Sequence, residues 1–469
     1  MFLKWKNLDK NITLASWVLI VFIVNNACLC LSNFEWGWFL VVLIGGLVLV
    51  RLGEYGLGFI FRKELVPVVI IVLMIPLLFF FPIVNRCIVP VIPGLRIRYQ
   101  LLIVVLVCMM IIYGVYLLDK HYSLDRYIKN ITLFAKRAMQ ILVILLAAKG
   151  VKDYYTVELP FLQRQTLVPS FSKTKDSCNI FLLVLDERPS EKTLKKYFEY
   201  SDPLGDKLSE YGFTVYPHAV SKYTSTYLSL TSLLNYGINT GHTNYFLNIS
   251  KINDPEWVND LKNNGYGFEE YSIFDINHTA MKNDKKAKLF SRRNFAFQLF
   301  NNTFLWNWLL FRLKTFDEYN QRGICFLKEK LIQSTILRRQ LVYTHLLIPH
   351  APYTKDSIGN YKYIDNNFNY LINNTKLQIP YLDYIKYCNK VVTELYESIK
   401  NDTTNLYIIT SDHGARFNFM EEEDKKNTFT AIKWPKQIPI DSIKSHPVNC
   451  IQDIPGLINQ LIFRVKKKD

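Results

Sequence analysis

The sequence predicts a two-part chain: an N-terminal α-helical membrane domain of about five spans over residues 1–151, then an α/β domain with a mostly parallel central sheet over residues 177–469. Three observations carry this reading. Long uncharged runs crowd the first 150 residues, most Asp, Asn and His lie beyond them, and from Asn179 onward short apolar β-rich runs alternate with helical stretches. Half of the 469 residues are hydrophobic, which is too apolar for one ordinary soluble domain and, with 20% charged residues, too charged for a pure transporter.

The membrane part comes first. Uncharged runs occupy residues 11–34, 36–50, 65–85, 99–118 and 138–148. A helix needs roughly 20 apolar residues to cross the hydrocarbon. The first, third and fourth runs suffice; the second borrows Phe34, and the fifth requires Lys136, Arg137 and Lys149 to snorkel to the interfaces. Four spans is the count if that last run stays outside. Lys and Arg are dense at the N-terminus (Lys4, Lys6, Lys10), in the second loop (Arg51, Arg62, Lys63) and in the fourth (Lys120, Arg126, Lys129, Lys136, Arg137). The opposite side has Arg86, Arg96 and Arg98, so the N-terminus is expected in the cytoplasm and everything after Val151 outside it. The first run is too long for a cleaved signal and lacks a small-residue cleavage site, so the chain is expected to stay anchored. Residues 152–176, with Pro160 and Pro169, read as a juxtamembrane linker.

The net charge of +16 is scattered among Asn, Tyr and Glu rather than gathered in stripes, which argues against nucleic acid. It suits anionic lipid head groups or phosphorylated glycans, or simply a solvated mixed surface. Cys28, Cys30 and Cys108 fall in apolar runs and Cys87 in a loop. Cys178, Cys325, Cys388 and Cys450 would face an oxidising compartment as one or two disulfides or as free thiols.

In the second part the apolar runs are NIFLLVL (179–185), FTVY (213–216), YSIF (271–274), LVYTHLL (341–347) and NLYIIT (405–410), with helical patterns at 190–211, 227–234 and 384–399. In a parallel sheet, chemistry gathers at the carboxyl ends of strands. The first of these runs leads directly into Asp186 and Glu187, and the last into Ser411, Asp412, His413 and Gly414. Carboxylate oxygen and imidazole nitrogen are the ligands of a hard or borderline cation such as zinc, and adjacent Asp and His at a strand end can reach one ion. A strand-terminal Asp alone is commonly a turn former or cap. Two such ends, with a hydroxyl-rich segment between them in sequence, point to a site.

That segment, Ser221 to Leu234, reads as a loop entering an apolar helix. A hydroxyl at a helix start beside a metal can be deprotonated, and free N–H groups there favour an incoming phosphate; the purely structural alternative is ordinary N-capping. If the loop ends at Tyr223, Thr224 lies nearest the helix start; if it runs two residues longer, Thr226 does. His345 lies inside LVYTHLL, where a satisfied structural role competes with a binding one. His350 follows in IPHAPY and suits a phosphoryl contact or leaving-group protonation. His218, His242, His278 and His446 have no matching context.

Together, a strand ending in a carboxylate, a Thr-bearing segment some forty residues on, HLLIPH and SDHG resemble the sulfatase-like branch of the alkaline phosphatase superfamily. With the apolar N-terminal part, they resemble the bacterial membrane phosphoethanolamine transferases of lipid A and, more distantly, lipoteichoic acid synthases. LDERPS, TYLSLTSLLN, HLLIPHAPY and SDHGAR are similar also to membrane sulfatase-like proteins carrying an LDGY-type motif. The resemblance implies an alkaline-phosphatase-like fold for the second part. It implies a metal set of Asp186 (with Glu187 as understudy), Thr224, Asp412 and His413, and catalysis by Thr224 or Thr226 with His350. Lys222, His345, Glu187 and the arginine following Ala415, Arg416, would contact substrate. The register aligned on Thr-Ser-Thr is ungapped through Ser229 and favours Thr224; the TYLSL register gives Thr226. The chain departs from the transferases after SDHG, where Ala415 and Arg416 replace Glu-Ser and no downstream His ligand follows. The Cys-x-Pro-x-Arg pattern of sulfatases is missing at Thr224, which argues against sulfate ester hydrolysis.

The resemblance further implies one zinc ion, with a second metal or manganese or magnesium as alternatives. It implies a monomer in the bacterial inner membrane with a periplasmic catalytic domain. That domain would move phosphoethanolamine from a membrane phospholipid to a glycolipid such as lipopolysaccharide, or to a polysaccharide of the cell envelope. Phosphoglycerol transfer, a membrane-bound phosphodiesterase and a degenerate membrane scaffold are the other readings.

Overall fold

A computed structural model describes residues 13–28, 36–57, 59, 66–78, 97–122, 125–163, 178–240, 245–278, 313–362 and 377–462. Cys30, Cys87, His242, Arg62, Arg86, Arg96 and the segment 164–176 lie outside the described residues. The chain divides into two compact units, one of Met1–Gln163 with Arg293–Phe311 and one of Arg164–Arg292 with Arg312–Asp469.

In the first unit each expected apolar run contains a helix among the described residues: α1 (Leu14–Ala27), α2 (Trp36–Leu57), α3 (Val66–Leu78), α4 (Ile97–Tyr122) and α5 (Asp125–Asp153). Helix α1 packs against α2, α3 and α5 and buries Ala15, Leu19, Phe22 and Ile23 among them. Apolar side chains on the surrounding helices point outward, with Ile44, Leu49, Met110 and Ile144 between 60% and 70% exposed. A surface of this kind is suited to lipid rather than water. Among the described residues, two helical stretches, Phe39–Leu57 and Tyr127–Gln163, are long and apolar enough to cross a membrane; Leu14–Ala27 and Leu102–Leu118 are shorter.

One boundary differs from the sequence reading. The linker expected from Lys152 is helical as far as Gln163, because α5 passes through a π turn (Tyr154–Glu158) into a short helix (Leu159–Gln163). Pro160 falls in the first turn after the irregularity, where its missing N–H costs little.

The second unit is built on one six-stranded sheet of β1 (Ile180–Asp186), β2 (Thr214–Val215), β3 (Gly267–Tyr271), β4 (Gln340–Pro349), β5 (Leu406–Ser411) and β6 (Thr430–Lys433), in the order β2-β6-β5-β1-β4-β3. The four strands β5, β1, β4 and β3 are mutually parallel, as expected; β6 runs against β5 and β2, so the sheet is mixed. Every residue of β1 is buried, as befits a parallel strand covered on both faces. Phe181, Leu183, Leu185, Val342, Tyr407 and Ile409 form a core with helices α6 (Glu191–Phe198), α7 (Leu204–Glu210), α11 (Leu313–Ile332) and α12 (Gln378–Glu397). Helix α8 (Thr226–Leu234) packs with α9 (Tyr245–Asn253), α10 (Glu256–Asn263) and α13 (Ile454–Ile462), fully burying Leu230, Leu233 and Leu234.

The strand order positions the chemistry. Leu185 pairs with Ser411, so β1 and β5 end side by side and release Asp186 and Asp412 at one edge. On the other flank the β1–β4 register slips between Leu185 and Asp186, so that Asp186 pairs with Pro349, the residue just before His350. Cys178, Cys325, Cys388 and Cys450 are free thiols.

Candidate active site

At the end of β1 the chain turns through Glu187, a non-glycine residue held at φ 67°. This left-handed conformation costs about 1–3 kcal/mol and persists only where its surroundings enforce it. Here they do: the Glu187 N–H donates to Asp412 Oδ1 (3.0 Å), Tyr381 donates its hydroxyl to the Glu187 carbonyl (3.0 Å), and Glu187 Oε1 accepts from the backbone N–H and Nε of Arg416 (3.1 and 3.3 Å). The turn therefore separates the two carboxylates that the sequence left as rivals. Asp186 faces the cluster, while Glu187 is tied to Arg416 with its second oxygen 3.9 Å from His350 Nε2.

Asp186, Asp412 and His413 bring one ligand atom each to within 4.8 Å of one another, all buried. Asp412 uses Oδ1 to accept from the N–H groups of Glu187 and His413 (3.0 and 2.8 Å), which leaves Oδ2 without a partner. Asp186 Oδ1 is likewise buried without a partner. His413 donates Nδ1–H to the Gly414 carbonyl (2.8 Å), so its Nε2 lone pair faces Asp412 Oδ2 at 3.3 Å and Asp186 Oδ1 at 3.8 Å. Fixing one ring nitrogen on a carbonyl to present the other is how metal-bound histidines are oriented. Two orphaned carboxylate oxygens and one imidazole nitrogen, aimed at each other in a water-poor pocket, fit a divalent cation such as zinc. Gly414 must be glycine, since a Cβ there would lie 2.6 Å from the Asn427 carbonyl.

The electrostatics fit a cation-binding role. Burial and the neighbouring Asp412 push the Asp186 carboxyl well above the usual carboxylate range. Burial, reinforced by the Arg416 guanidinium, pushes His413 down to about 3. Burial alone would raise Glu187, but Arg416, His350 and His413 hold it below its ordinary value. Burial also lowers His350, against the pull of Glu187.

Of the two threonines, Thr226 is the one brought to the cluster. Ser225 is extended (φ −130°, ψ 129°), helix α8 begins at Thr226, and Thr226 Oγ1 lies 3.3 Å from His413 Nε2. Thr224 sits in the bend before the helix and has no such contact among the described residues. Lys222 donates its ammonium to the Gly237 carbonyl (3.1 Å). His350 is at the rim, its Nδ1 on the Ala351 carbonyl. His345 is completely buried and lies parallel to Phe274, and neither ring nitrogen has a partner among the described residues.

Several supporting residues carry no sequence signal. Arg188 is completely buried, paired with Asp202, bonded to Asn389 (2.8 Å) and stacked over Phe429. Gln452, distant in sequence, donates to Ser221 Oγ (3.1 Å) and Ser229 Oγ (3.0 Å) and accepts from the Lys222 N–H (3.1 Å), while Ser229 donates to the Asp412 carbonyl (2.5 Å).

No family model and no curated protein matches the chain. Among solved structures it is similar to the C-terminal periplasmic domain of EcEptC from Escherichia coli in complex with zinc (14% identity over 65% of this chain and 88% of that one, TM-score 0.39). The same holds for the C-terminal periplasmic domain of the phosphoethanolamine transferase EptC from Campylobacter jejuni (13%, 62% and 91%, 0.40) and the lipoteichoic acid synthase LtaP from Listeria monocytogenes (14%, 69% and 79%, 0.40). These neighbours are of the kinds that the sequence motifs resemble; at such scores the likeness carries no argument about chemistry, which rests on the side chains themselves.

Proposed function

We propose that the chain is a membrane-anchored, metal-dependent transferase that moves phosphoethanolamine, or a similar phospho-alcohol, from a membrane phospholipid to a surface glycolipid or polysaccharide through a phosphothreonine at Thr226. One observation carries this reading: the hydroxyl of the first residue of α8 lies against His413 Nε2, on which the unpartnered Asp186 Oδ1 and Asp412 Oδ2 converge. A divalent cation held by these residues, zinc best suiting the donor set, would supply positive charge to a developing alkoxide and to a phosphoryl oxygen.

The protein's own groups account for the remaining needs. Thr226 Oγ1 attacks phosphorus while the neighbouring Asp186 carboxylate of the same cluster takes its proton. The unpaired N–H groups in the first turn of α8 receive the phosphoryl oxygens. His350, aligned by Glu187, protonates the departing alcohol and later accepts the proton of the incoming hydroxyl. The apolar first unit supports a lipid donor met at the bilayer, and the Lys and Arg distribution supports a catalytic unit outside the cytoplasm of a bacterial inner membrane.

The test is direct. The full-length chain is incubated with zinc and headgroup-labelled phosphatidylethanolamine without acceptor, and its peptides are mapped by mass spectrometry. The label is expected on Thr226, absent from Thr226→Ala and retained in Thr224→Ala. A label confined to Thr224 restores the other register, and turnover with a label on neither threonine overturns the covalent route.

A further inference from the structure

Asp186 divides its two oxygens between two histidines. Oδ1 lies 3.8 Å from His413 Nε2, within the candidate metal cluster, and Oδ2 lies 3.9 Å from His345 Nε2, on the opposite flank. The two flanks arise from the strand order, because β1 stands between β5, which leads into His413, and β4, which carries His345 opposite Val184.

His345 is otherwise hard to explain. It is fully buried, its ring lies 6.1 Å from that of Phe274 at an interplanar angle of 6°, and both nitrogens lack partners among the described residues. Each buried polar atom left unmet costs about 1–3 kcal/mol, so an apolar residue at this strand position would be more stable unless the imidazole makes a bond in the working state. Asp186 Oδ2 is the carboxylate oxygen facing it. Carboxylate torsions are broad, and a rotation that moves this oxygen by about 1 Å closes the gap to an ordinary hydrogen bond.

We propose that His345 is a positioning residue of the metal centre: its Nε2–H takes Asp186 Oδ2 and so presents Oδ1, alongside Asp412 Oδ2 and His413 Nε2, to the cation. The inference rests on reading Asp186, Asp412 and His413 as metal ligands. It assigns His345 to the ligand's far oxygen, not to the ion and not to the substrate. It also gives the Phe274 ring a purpose, since a flat wall against the imidazole restricts which way Nε2 can face.

Zinc binding by the full-length chain, followed by calorimetry and chelator competition, tests this without any turnover. The variants are Asp412→Ala, His345→Phe, which keeps a flat ring without nitrogens, and His345→Gln, which keeps an N–H donor. Asp412→Ala is expected to lose the zinc. His345→Phe is expected to bind it about 10- to 100-fold more weakly, with His345→Gln recovering most of the loss, because outer partners of metal ligands carry effects of that size. Without zinc, His345→Phe should melt no lower than the parent, a combination that loss of packing would not produce. If phenylalanine does not fit, His345→Leu takes its place. Zinc affinity in His345→Phe within about two-fold of the parent, with Asp412→Ala empty, overturns the role of His345 and leaves the metal centre standing. A parent chain that takes up no zinc overturns both.

Discussion

Three consecutive charged residues, Asp186, Glu187 and Arg188, leave β1, and each is buried for a different purpose. Asp186 faces the candidate cation site, Glu187 is turned by its positive φ onto Arg416, and Arg188 is sealed against Asp202 and Asn389. Removing one member of a fully desolvated pair strands the other charge, which costs far more than the pair itself contributes. Asp202→Ala is therefore expected to destabilise the chain by about 3–5 kcal/mol, read as a lower denaturation midpoint, although Asp202 touches no metal ligand. The sequence made Asp186, Asp412 and His413 legible because each follows an apolar run at the point where a parallel strand must end. It could not rank Asp186 over Glu187. That choice depends on one backbone dihedral, fixed by Asp412 and Arg416 more than 220 residues away.

At the scale of elements, helix starts and turns decided what the apolar pattern left open. The pattern from Ser221 to Leu234 allowed two starts, and the structure takes the later one because Ser225 is extended and the Ser221 and Ser229 hydroxyls are held by Gln452. The reversal of β6 was likewise hidden, since TAIK reads the same in either direction across a sheet. Before β5, Asp402 organises the turn: its carboxylate accepts from the Thr404 N–H and hydroxyl (2.7 Å each), the Asn405 amide (2.8 Å) and the Tyr407 hydroxyl (2.5 Å). Burial alone would raise this carboxyl, but those donors hold it below its ordinary value. A depressed folded pKa contributes stability that is complete above the unfolded value, about 3.9, and is lost as pH falls through the folded one. Asp402→Asn is thus expected to lower the melting temperature at pH 7 and to flatten its fall below about pH 4, measured by thermal unfolding across that range.

For the whole molecule, the division into an apolar helical part and an α/β part was plain from composition, because lipid and water select opposite surfaces. The number of spans was less so. Helix α1, at 14 residues, is about 21 Å long and falls short of a hydrocarbon core of about 30 Å. Least legible was the link between distant segments, because hydrogen bonds made by a side chain far along the chain leave no periodicity behind. Gln452→Leu is expected to keep the zinc of Asp186, Asp412 and His413 while slowing phosphorylation of Thr226 by roughly ten- to hundred-fold, since small misplacements of a nucleophile cost rates of that order. Turnover equal to the parent's would show that the amide serves folding alone. Gln452 also has a meaning in time. It is made 230 residues after Lys222, whose N–H it holds. At about 5–20 residues per second, a growing chain waits on the order of ten to fifty seconds between synthesising the loop that leads to its candidate nucleophile and synthesising the amide that bonds it. Asp412 and His413 follow only late in that interval, so the threonine loop and Asp186 wait as separate pieces for most of synthesis, and the candidate site closes only once the last stretch of chain has been made.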